Sequence, residues 1–326
     1  MPNKYTRRAF GKLAVAAAGA ISMPAIITSA RAEEMVRIGL PTKNYWGTVL
    51  AKVAESRGLF QKEGVQADVT VYRSGAECVQ ALAAGAADIV ETGASSVAIG
   101  KAKGINAKIV AGASVVPAGW ILMANSKSPI QSVKDLQGKK VGITAAGSFS
   151  EVLAKWVSKK ENVELNLVPL GGGGLVPNLI AGNIDAAVLY PPVSFISLVA
   201  KETKTILDYA EATPPAMSDG WVATDQIVSE KPEAVQKTLN ALFGAVQILR
   251  DDRAGALKLL EENIEVTPEV AEVFYEKSIL TLLQRGEIEK VWIDNVLSMA
   301  TLGGATGMAP ADAIFTTQFT PVPTQA

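Results

Sequence analysis

Histidine is absent from this chain of 326 residues, and cysteine occurs only once, as Cys78. Without histidine the chain cannot form a Ser-His-Asp triad or offer an imidazole ligand to a metal ion. The sequence also has no Gly-x-Ser-x-Gly motif, and its glycine run, Gly171–Gly174, lacks the Lys-Ser/Thr ending of a phosphate-binding loop. We therefore expect a protein that is not an enzyme and that uses neither a metal ion nor another cofactor.

Charged residues are also scarce, at 19% of the chain against 48% apolar residues. The first 32 residues contain five of the 31 basic residues and no acidic residue. The remainder therefore has 26 basic and 32 acidic residues, a formal charge of −6. An acidic surface disfavours binding to nucleic acid and to anionic membranes. The composition predicts a globular protein with enough apolar residues for two packed lobes and with no nucleic-acid partner.

The N-terminal segment has the pattern of an export signal. Arg7-Arg8 is followed by Phe10, an apolar stretch from Leu13 to about Ser29, and the small-residue cleavage site Ala30-Arg31-Ala32. The paired arginines resemble a twin-arginine signal. We expect export to the periplasm by that route and cleavage, which leaves no stable membrane anchor. The alternative is that the apolar stretch stays as an N-terminal anchor, since its length is borderline for spanning a bilayer.

Strand and helix patterns alternate along the rest of the chain. The first pair is a strand at Val36–Leu40 and a helix at Trp46–Ser56, and the pattern becomes entirely helical from Pro232 onward. Strands that alternate with helices of about ten residues predict a mostly parallel sheet. The segment Leu82–Asp88 recurs as Leu179–Asp185 with glycine and aspartate at the same spacing. This repeat indicates one structural unit that is used once in each of two lobes.

Five motifs carry a family resemblance: Phe60–Gly64, Ala84–Ile89, Lys134–Gly142, Ala181–Ala187 and Tyr190–Pro192. In these segments the chain resembles the periplasmic substrate-binding proteins of ABC importers. The branch includes the sulfonate-binding (SsuA-like), taurine-binding and nitrate-binding proteins and the thiamine-precursor (NMT1-like) binders. The likeness extends from about residue 36 to residue 222.

The resemblance implies an α/β, type II-like periplasmic binding protein fold. Each of its two lobes would be a mostly parallel sheet flanked by helices, and two crossing strands would join them. We place the crossings near Pro117–Leu122 and Asp219–Thr224. Lobe one would comprise residues 34–118 and 223–326, and lobe two residues 119–222.

Candidate ligand-binding residues lie in loops that follow the predicted strands. Ligands of parallel α/β sheets bind beyond the carboxyl ends of the strands, where helix N-termini favour anions. The candidates are Lys43, Asn44, Tyr45, Trp46, Arg73, Ser74, Ser95, Ser96, Trp120, Ser148, Phe149, Gly172, Gly173 and Tyr190. Several have a purely structural alternative, because Ser95, Ser96 and Ser148 can be ordinary helix caps, Trp46 and Tyr190 can be core residues, and Arg73 can be a solvated charge.

The resemblance implies a monomer that delivers a small organic anion, a sulfonate or carboxylate, to the permease of an ABC importer. Lys43 and Arg73 would hold the anionic head, and aromatic side chains would line the apolar body. One alternative is a neutral pyrimidine precursor of thiamine that stacks between the aromatic residues. Another is a sensor module that presents its ligand to a receptor.

Overall fold

The computed structural model describes residues 34–323, so the predicted export signal lies outside the described residues. Within them the strands are β1 (Glu34–Leu40), β2 (Val65–Val71), β3 (Ile89–Thr92), β4 (Ala107–Ser114), β5 (Ile121–Asn125), β6 (Lys139–Ile143), β7 (Leu165–Pro169), β8 (Ala186–Leu189), β9 (Thr203–Asp208) and β10 (Asp219–Thr224). The predicted alternation of strands and helices is confirmed.

The strands form two five-stranded sheets. The first has the order β2-β1-β3-β10-β4 and the second the order β7-β6-β8-β5-β9. In the first sheet β10 runs antiparallel to both of its neighbours, and in the second sheet β5 does the same. Neighbours such as β1 and β2, or β6 and β7, are parallel. The prediction of mostly parallel sheets in an α/β fold is therefore confirmed.

Helices cover the sheets. In the described part of the chain they are α1 (Trp46–Ser56), α2 (Leu59–Lys62), α3 (Gly75–Ala83), α4 (Ala94–Ala102), α5 (Phe149–Glu161), α6 (Leu175–Ile180), α7 (Val193–Val199), α8 (Tyr209–Ala212), α9 (Asp225–Glu230), α10 (Pro232–Asp251), α11 (Arg253–Ile264), α12 (Pro268–Lys277) and α13 (Lys290–Leu302). Many begin at a polar cap. Thr267, for example, accepts a hydrogen bond from the N–H of Val270, and Pro268 occupies the first helical position.

The chain passes between the sheets twice. It leaves the first sheet after β4 and enters the second at β5, and it returns from β9 and α8 to the first sheet at β10. Trp120 lies immediately before β5, and Asp219 is the first residue of β10. Both of the predicted crossing regions thus bring a side chain to the space between the sheets. The lobe boundaries themselves stay a prediction.

The C-terminal helices pack against helices that flank both sheets. Helix α10 packs against α1, and α13 packs against both α4 and α5, whereas α12 packs against α7. Large buried side chains such as Trp221, Tyr209 and Phe274 fill the core. Among residues 34–323, no helix has both the length and the apolar character that crossing a bilayer requires.

Candidate functional site

A narrow cleft lies between the two sheets, at the carboxyl ends of several strands. Its cavity volume is about 30 Å³, which is room for one or two water molecules. The residues that line it are Pro41, Thr42, Tyr45, Ser74, Gly75, Thr92, Gly93, Trp120, Thr144, Ser148, Phe149, Tyr190 and Asp219. Six of the predicted site residues are among them: Tyr45, Ser74, Trp120, Ser148, Phe149 and Tyr190.

Four helices begin at this cleft. The N-cap residues of α1, α3, α4 and α5 are Tyr45, Ser74, Gly93 and Ser148, and all four line the cavity. Helices α1, α3 and α4 follow strands of the first sheet, and α5 follows a strand of the second. Because the first N–H groups of a helix have no intrahelical partner and carry the positive end of the helix dipole, the four termini together favour an anion.

Two of these termini are closed by serine. The side chain of Ser74 accepts a hydrogen bond from the N–H of Glu77 at 3.2 Å. Ser148 Oγ accepts more weakly from the N–H of Glu151 at 3.4 Å and donates to the carbonyl of Ala145 at 2.7 Å. The capping role that the sequence left open for Ser148 is therefore present, Ser74 has the same role, and both residues also line the cleft.

Four aromatic rings form a connected cluster around the cavity. The ring centroid of Trp120 lies 6.0 Å from that of Tyr45, 5.2 Å from that of Phe149 and 6.0 Å from that of Tyr190. Tyr45 and Tyr190 are 5.9 Å apart with nearly perpendicular planes. All four side chains are buried. Such edge-to-face and tilted contacts give rigid apolar walls that suit the hydrocarbon part of a ligand.

An acidic pair that the sequence analysis did not single out lies at one end of this cluster. Asp219 Oδ2 accepts a hydrogen bond from the Tyr45 hydroxyl at 2.7 Å, and that hydroxyl accepts one from Trp120 Nε1 at 3.1 Å. Glu91, on β3, is fully buried behind Asp219. The only available signal in the sequence was the position of Asp219 at the start of the predicted second crossing.

Burial dominates the protonation of both carboxyl groups. It raises the pKa of Glu91 well above its usual range, and the neighbouring Asp219 raises it further. Burial also raises the pKa of Asp219, but hydrogen bonds from Tyr45 and Glu91 oppose that shift. The pKa of Glu91 is thus the more strongly raised of the two, so burial favours the protonated form of Glu91 beside the Asp219 carboxyl.

Five predicted residues line a separate outer groove instead of the cleft. Lys43, Asn44, Arg73, Gly172 and Gly173 surround a depression that shares only Thr42 and Tyr190 with the inner cavity. The Arg73 side chain is 81% exposed and pairs with Glu77 at 2.7 Å. In this arrangement its guanidinium faces solvent, and its role as a ligand contact stays a prediction.

The remaining predicted residues, Trp46, Ser95 and Ser96, are buried close to the cleft without lining it. Trp46 packs edge-to-face on Trp221, with a centroid distance of 6.2 Å. Ser95 Oγ is buried and has no hydrogen-bond partner among the described residues. Ser96 Oγ donates to the carbonyl of Gly147 at 2.9 Å.

Besides the Trp120–Tyr45 bond, two hydrogen bonds connect loops on opposite sides of the cleft. The Ser96–Gly147 bond joins α4, which follows a strand of the first sheet, to the loop before α5. The N–H of Gly172, which follows β7 of the second sheet, donates to the carbonyl of Arg73 at 3.0 Å. Neither bond is part of a sheet or a helix, so both can break without unfolding either side.

These features define the periplasmic binding protein fold, and solved structures agree. The structure of the alkanesulfonate-binding protein from Xanthomonas axonopodis pv. citri superposes with a TM-score of 0.75 at 20% identity, covering 86% of this chain and 98% of that one. The profile of the NMT1/THI5-like family matches residues 49–255. The chain belongs to this family.

Curated relatives are also similar in sequence. A Brucella abortus (strain 2308) chain, named only as a binding protein, is 26% identical over 281 residues, which cover 81% of this chain and 84% of that protein. The taurine-binding periplasmic protein of Escherichia coli (strain K12) is 29% identical over 210 residues, covering 60% of this chain and 62% of that protein.

Proposed function

We propose that the mature chain is a periplasmic substrate-binding protein that delivers a small organic anion, a sulfonate or a carboxylate, to the permease of an ABC importer. The observation that carries this proposal is the convergence of four helix N-termini on one aromatic cleft. The names of the relatives, taurine-binding and alkanesulfonate-binding, support it. So does the membership of the NMT1/THI5-like family.

The anionic head would be held by uncharged donors. Within the described residues, the side chains that line the cleft include no lysine and no arginine. Backbone N–H groups at the helix N-termini would therefore supply most of the hydrogen bonds. The Ser148 hydroxyl, which donates its hydrogen to the carbonyl of Ala145 in this structure, would add one donor by rotating toward the ligand. Trp120, Phe149 and Tyr190 would enclose the hydrocarbon body. Lys43 and Arg73 in the outer groove would attract anions toward the opening instead of contacting them inside.

Capture would require the two sides of the cleft to separate. A cavity of about 30 Å³ is too small for an organic anion. We propose that the lobes, residues 34–118 with 223–326 and residues 119–222, open by a hinge at the two crossings. Opening breaks the Ser96–Gly147 and Gly172–Arg73 hydrogen bonds, and closure around the ligand forms them again.

The other parts of the proposal follow from the sequence. We propose export by the twin-arginine route and a monomer that makes no stable membrane contact after signal cleavage. A neutral pyrimidine is the less favoured ligand, because the relatives reported above are named for taurine and for alkanesulfonates. A sensor that presents its ligand to a receptor would use the same cleft, and a permease interaction would distinguish transport from sensing.

Titration calorimetry of the purified mature protein tests the ligand class. The panel comprises ethanesulfonate, butanesulfonate, benzoate, nitrate and a hydroxymethylpyrimidine. We expect a sulfonate or carboxylate to bind with 1:1 stoichiometry. Ser148→Ala should weaken binding by about tenfold to a hundredfold, which is the loss of one hydrogen bond to a charged group. Binding of the pyrimidine alone would overturn the anion assignment, and binding of no compound would overturn the proposed ligand class.

A further inference from the structure

The cleft contains one charged side chain among its described lining residues, and that side chain is acidic. Asp219 is only 4% exposed and reaches the cavity from the start of β10. A carboxylate in an anion-binding cleft would repel the ligand unless it is protonated or faces a donor group of the ligand. The four helix N-termini therefore favour an anionic group in the cavity, whereas an ionised Asp219 disfavours an anionic group and favours a hydrogen-bond donor.

Glu91 completes this arrangement. Both of its carboxyl oxygens are buried and have no hydrogen-bond partner among residues 34–323. Its neighbour is the Asp219 carboxyl, and two carboxyl groups form a hydrogen bond only when a proton lies between them. The Glu91 side chain also lies against the first turn of α1, since a Cβ at Gly47 would be 3.1 Å from Glu91 Cγ. The Glu91 side chain is therefore closely packed on the side that faces α1.

We propose that Glu91 and Asp219 form a one-proton acid pair that determines which ligands the cleft accepts. With one proton on the pair, the ionised Asp219 selects ligands that present an amino or another donor group opposite the anionic head. With two protons, the pair accepts a plain organic anion. This inference rests on the proposed function. It adds that the ligand has a second polar group, an amino or another donor, besides the anionic head.

The surroundings support a single exchangeable proton. The other titratable groups that face the pair are Tyr45, from the loop before α1, and Cys78, from α3. Burial raises the pKa of both groups well above their usual values, so both stay neutral near neutral pH. Tyr45 donates its hydroxyl hydrogen to Asp219, which leaves the other carboxylate lone pairs available to a ligand. Titration in this region therefore belongs to Glu91 and Asp219.

Matched probes test the pair. Two- and three-carbon alkanesulfonates, each with and without a terminal amino group, are titrated calorimetrically into the mature protein at about pH 8 and about pH 5. The sulfonate group is a strong acid and the amino group titrates near 10, so neither changes charge in this range. At pH 8 we expect the amino probe to bind about tenfold to a hundredfold more tightly than its plain partner. At pH 5 this ratio should fall.

Two variants separate selection from folding. Asp219→Asn keeps the shape and an acceptor for Tyr45, so it should remove the amino preference and its pH dependence. Glu91→Gln keeps a donor to Asp219 but cannot ionise, so it should retain the preference at pH 8. Asp68→Asn, which changes an exposed carboxylate on β2, is the control and should change neither the amino preference nor its pH dependence. Thermal melts verify that each variant is folded.

The outcomes are distinct. Equal binding of plain and amino probes at pH 8 by the unmodified protein overturns the acid-pair proposal and leaves the proposed function intact. An Asp219→Asn variant that keeps the amino preference also overturns it. A uniform loss of affinity for every probe in that variant would show a merely structural role. If no probe binds, the proposed ligand class fails, and the acid-pair proposal fails with it.

Discussion

Asp88 and Asp185 make the same pair of hydrogen bonds in the two halves of the chain. The N–H of Asp88 donates to the carbonyl of Arg37 at 2.8 Å, and Asp88 Oδ2 accepts from the N–H of Arg37 at 2.9 Å. Asp185 has the identical reciprocal arrangement with Lys140, with both distances 2.9 Å. Each aspartate lies three residues after a glycine of positive φ, which is Gly85 for Asp88 and Gly182 for Asp185. The repeated sequence unit thus corresponds to a repeated connection between strands.

This relationship predicts a pH-dependent difference between two variants. Burial raises the pKa of Asp88, but hydrogen bonds from the side chain and backbone of Arg37 outweigh burial, and the net pKa is lowered. A lowered pKa stabilises the fold above the unfolded value, and this contribution is lost as pH falls. Asp88→Asn should cost about 1 kcal/mol of unfolding free energy at neutral pH, after allowance for the partly exposed Arg37.

Urea unfolding between about pH 7 and pH 3 checks this expectation. The cost of Asp88→Asn should shrink toward acid pH, because wild-type Asp88 becomes protonated there. Asp185→Asn is the matched variant, since its ion pair with Lys139 is long, at 3.9 Å, and half-exposed. We expect Asp185→Asn to lower the free energy of unfolding at neutral pH by less than Asp88→Asn does. A cost that grows as pH falls would contradict the assignment.

Glu91→Gln should have the opposite pH dependence. Burial raises the pKa of Glu91, so its contribution to stability is complete below the unfolded pKa and is lost as pH rises. Glutamine does not ionise and avoids this loss. The stability of Glu91→Gln relative to wild type should therefore increase from about pH 4 to about pH 8, as measured by urea unfolding. A relative stability that does not change with pH would exclude a buried proton on Glu91.

Gly172 and Gly173 offer a matched test of cleft closure. A Cβ on Gly172 would lie 2.7 Å from both Thr42 Cγ2 and the Tyr190 hydroxyl, whereas a Cβ on Gly173 would meet nothing within 4 Å. Gly172→Ala should hold the two sides apart and weaken ligand binding, and Gly173→Ala should do neither. Small-angle scattering should show a larger radius of gyration for ligand-saturated Gly172→Ala than for ligand-saturated wild type. Equal ligand affinities and equal radii of gyration for the two variants would contradict closure of the cleft at Gly172.

Arg73→Ala should leave the equilibrium affinity for an alkanesulfonate nearly unchanged. The guanidinium is mostly exposed and pairs with Glu77, and exposed pairs of this kind contribute little. A lower association rate at low salt, which disappears at high salt, is the expected effect of losing a surface cation near the opening. Stopped-flow fluorescence with calorimetry measures both quantities. A loss of affinity of tenfold or more would place the guanidinium against the ligand after all.

Replacement of Arg7 and Arg8 by lysine tests the export route. Twin-arginine export depends on the paired arginines and carries folded proteins. We expect the doubly substituted precursor to accumulate in the cytoplasm, as measured by cell fractionation and immunoblotting. A single lysine substitution serves as the intermediate control. Unchanged periplasmic accumulation of the double variant would contradict this route.

The sequence by itself determined the elements and their type. Helix α1 begins and ends at the predicted residues, Trp46 and Ser56, because apolar residues recur there at helical spacing. The strands were also recognisable, since short buried apolar runs are bounded by glycine and polar residues. Apolar spacing also predicts a helix from Pro268 to Leu282, but the observed helix ends earlier, at Lys277, and a short 3-10 turn at Ile279–Thr281 follows. Local patterns carry this information because secondary structure depends on near neighbours.

Only the tertiary structure decided which loop residues meet. Arg73 and Ser74 are adjacent in sequence, yet Ser74 lines the cleft and the Arg73 side chain faces solvent. Tyr45, Trp120 and Asp219 are far apart in the chain, yet they form one chain of hydrogen bonds. No local pattern marks Glu91, because its significance comes from burial beside Asp219, which only the pairing of β3 with β10 creates. Burial and proximity arise from packing, and packing decides both the charge of these groups and the cleft's ligand preference.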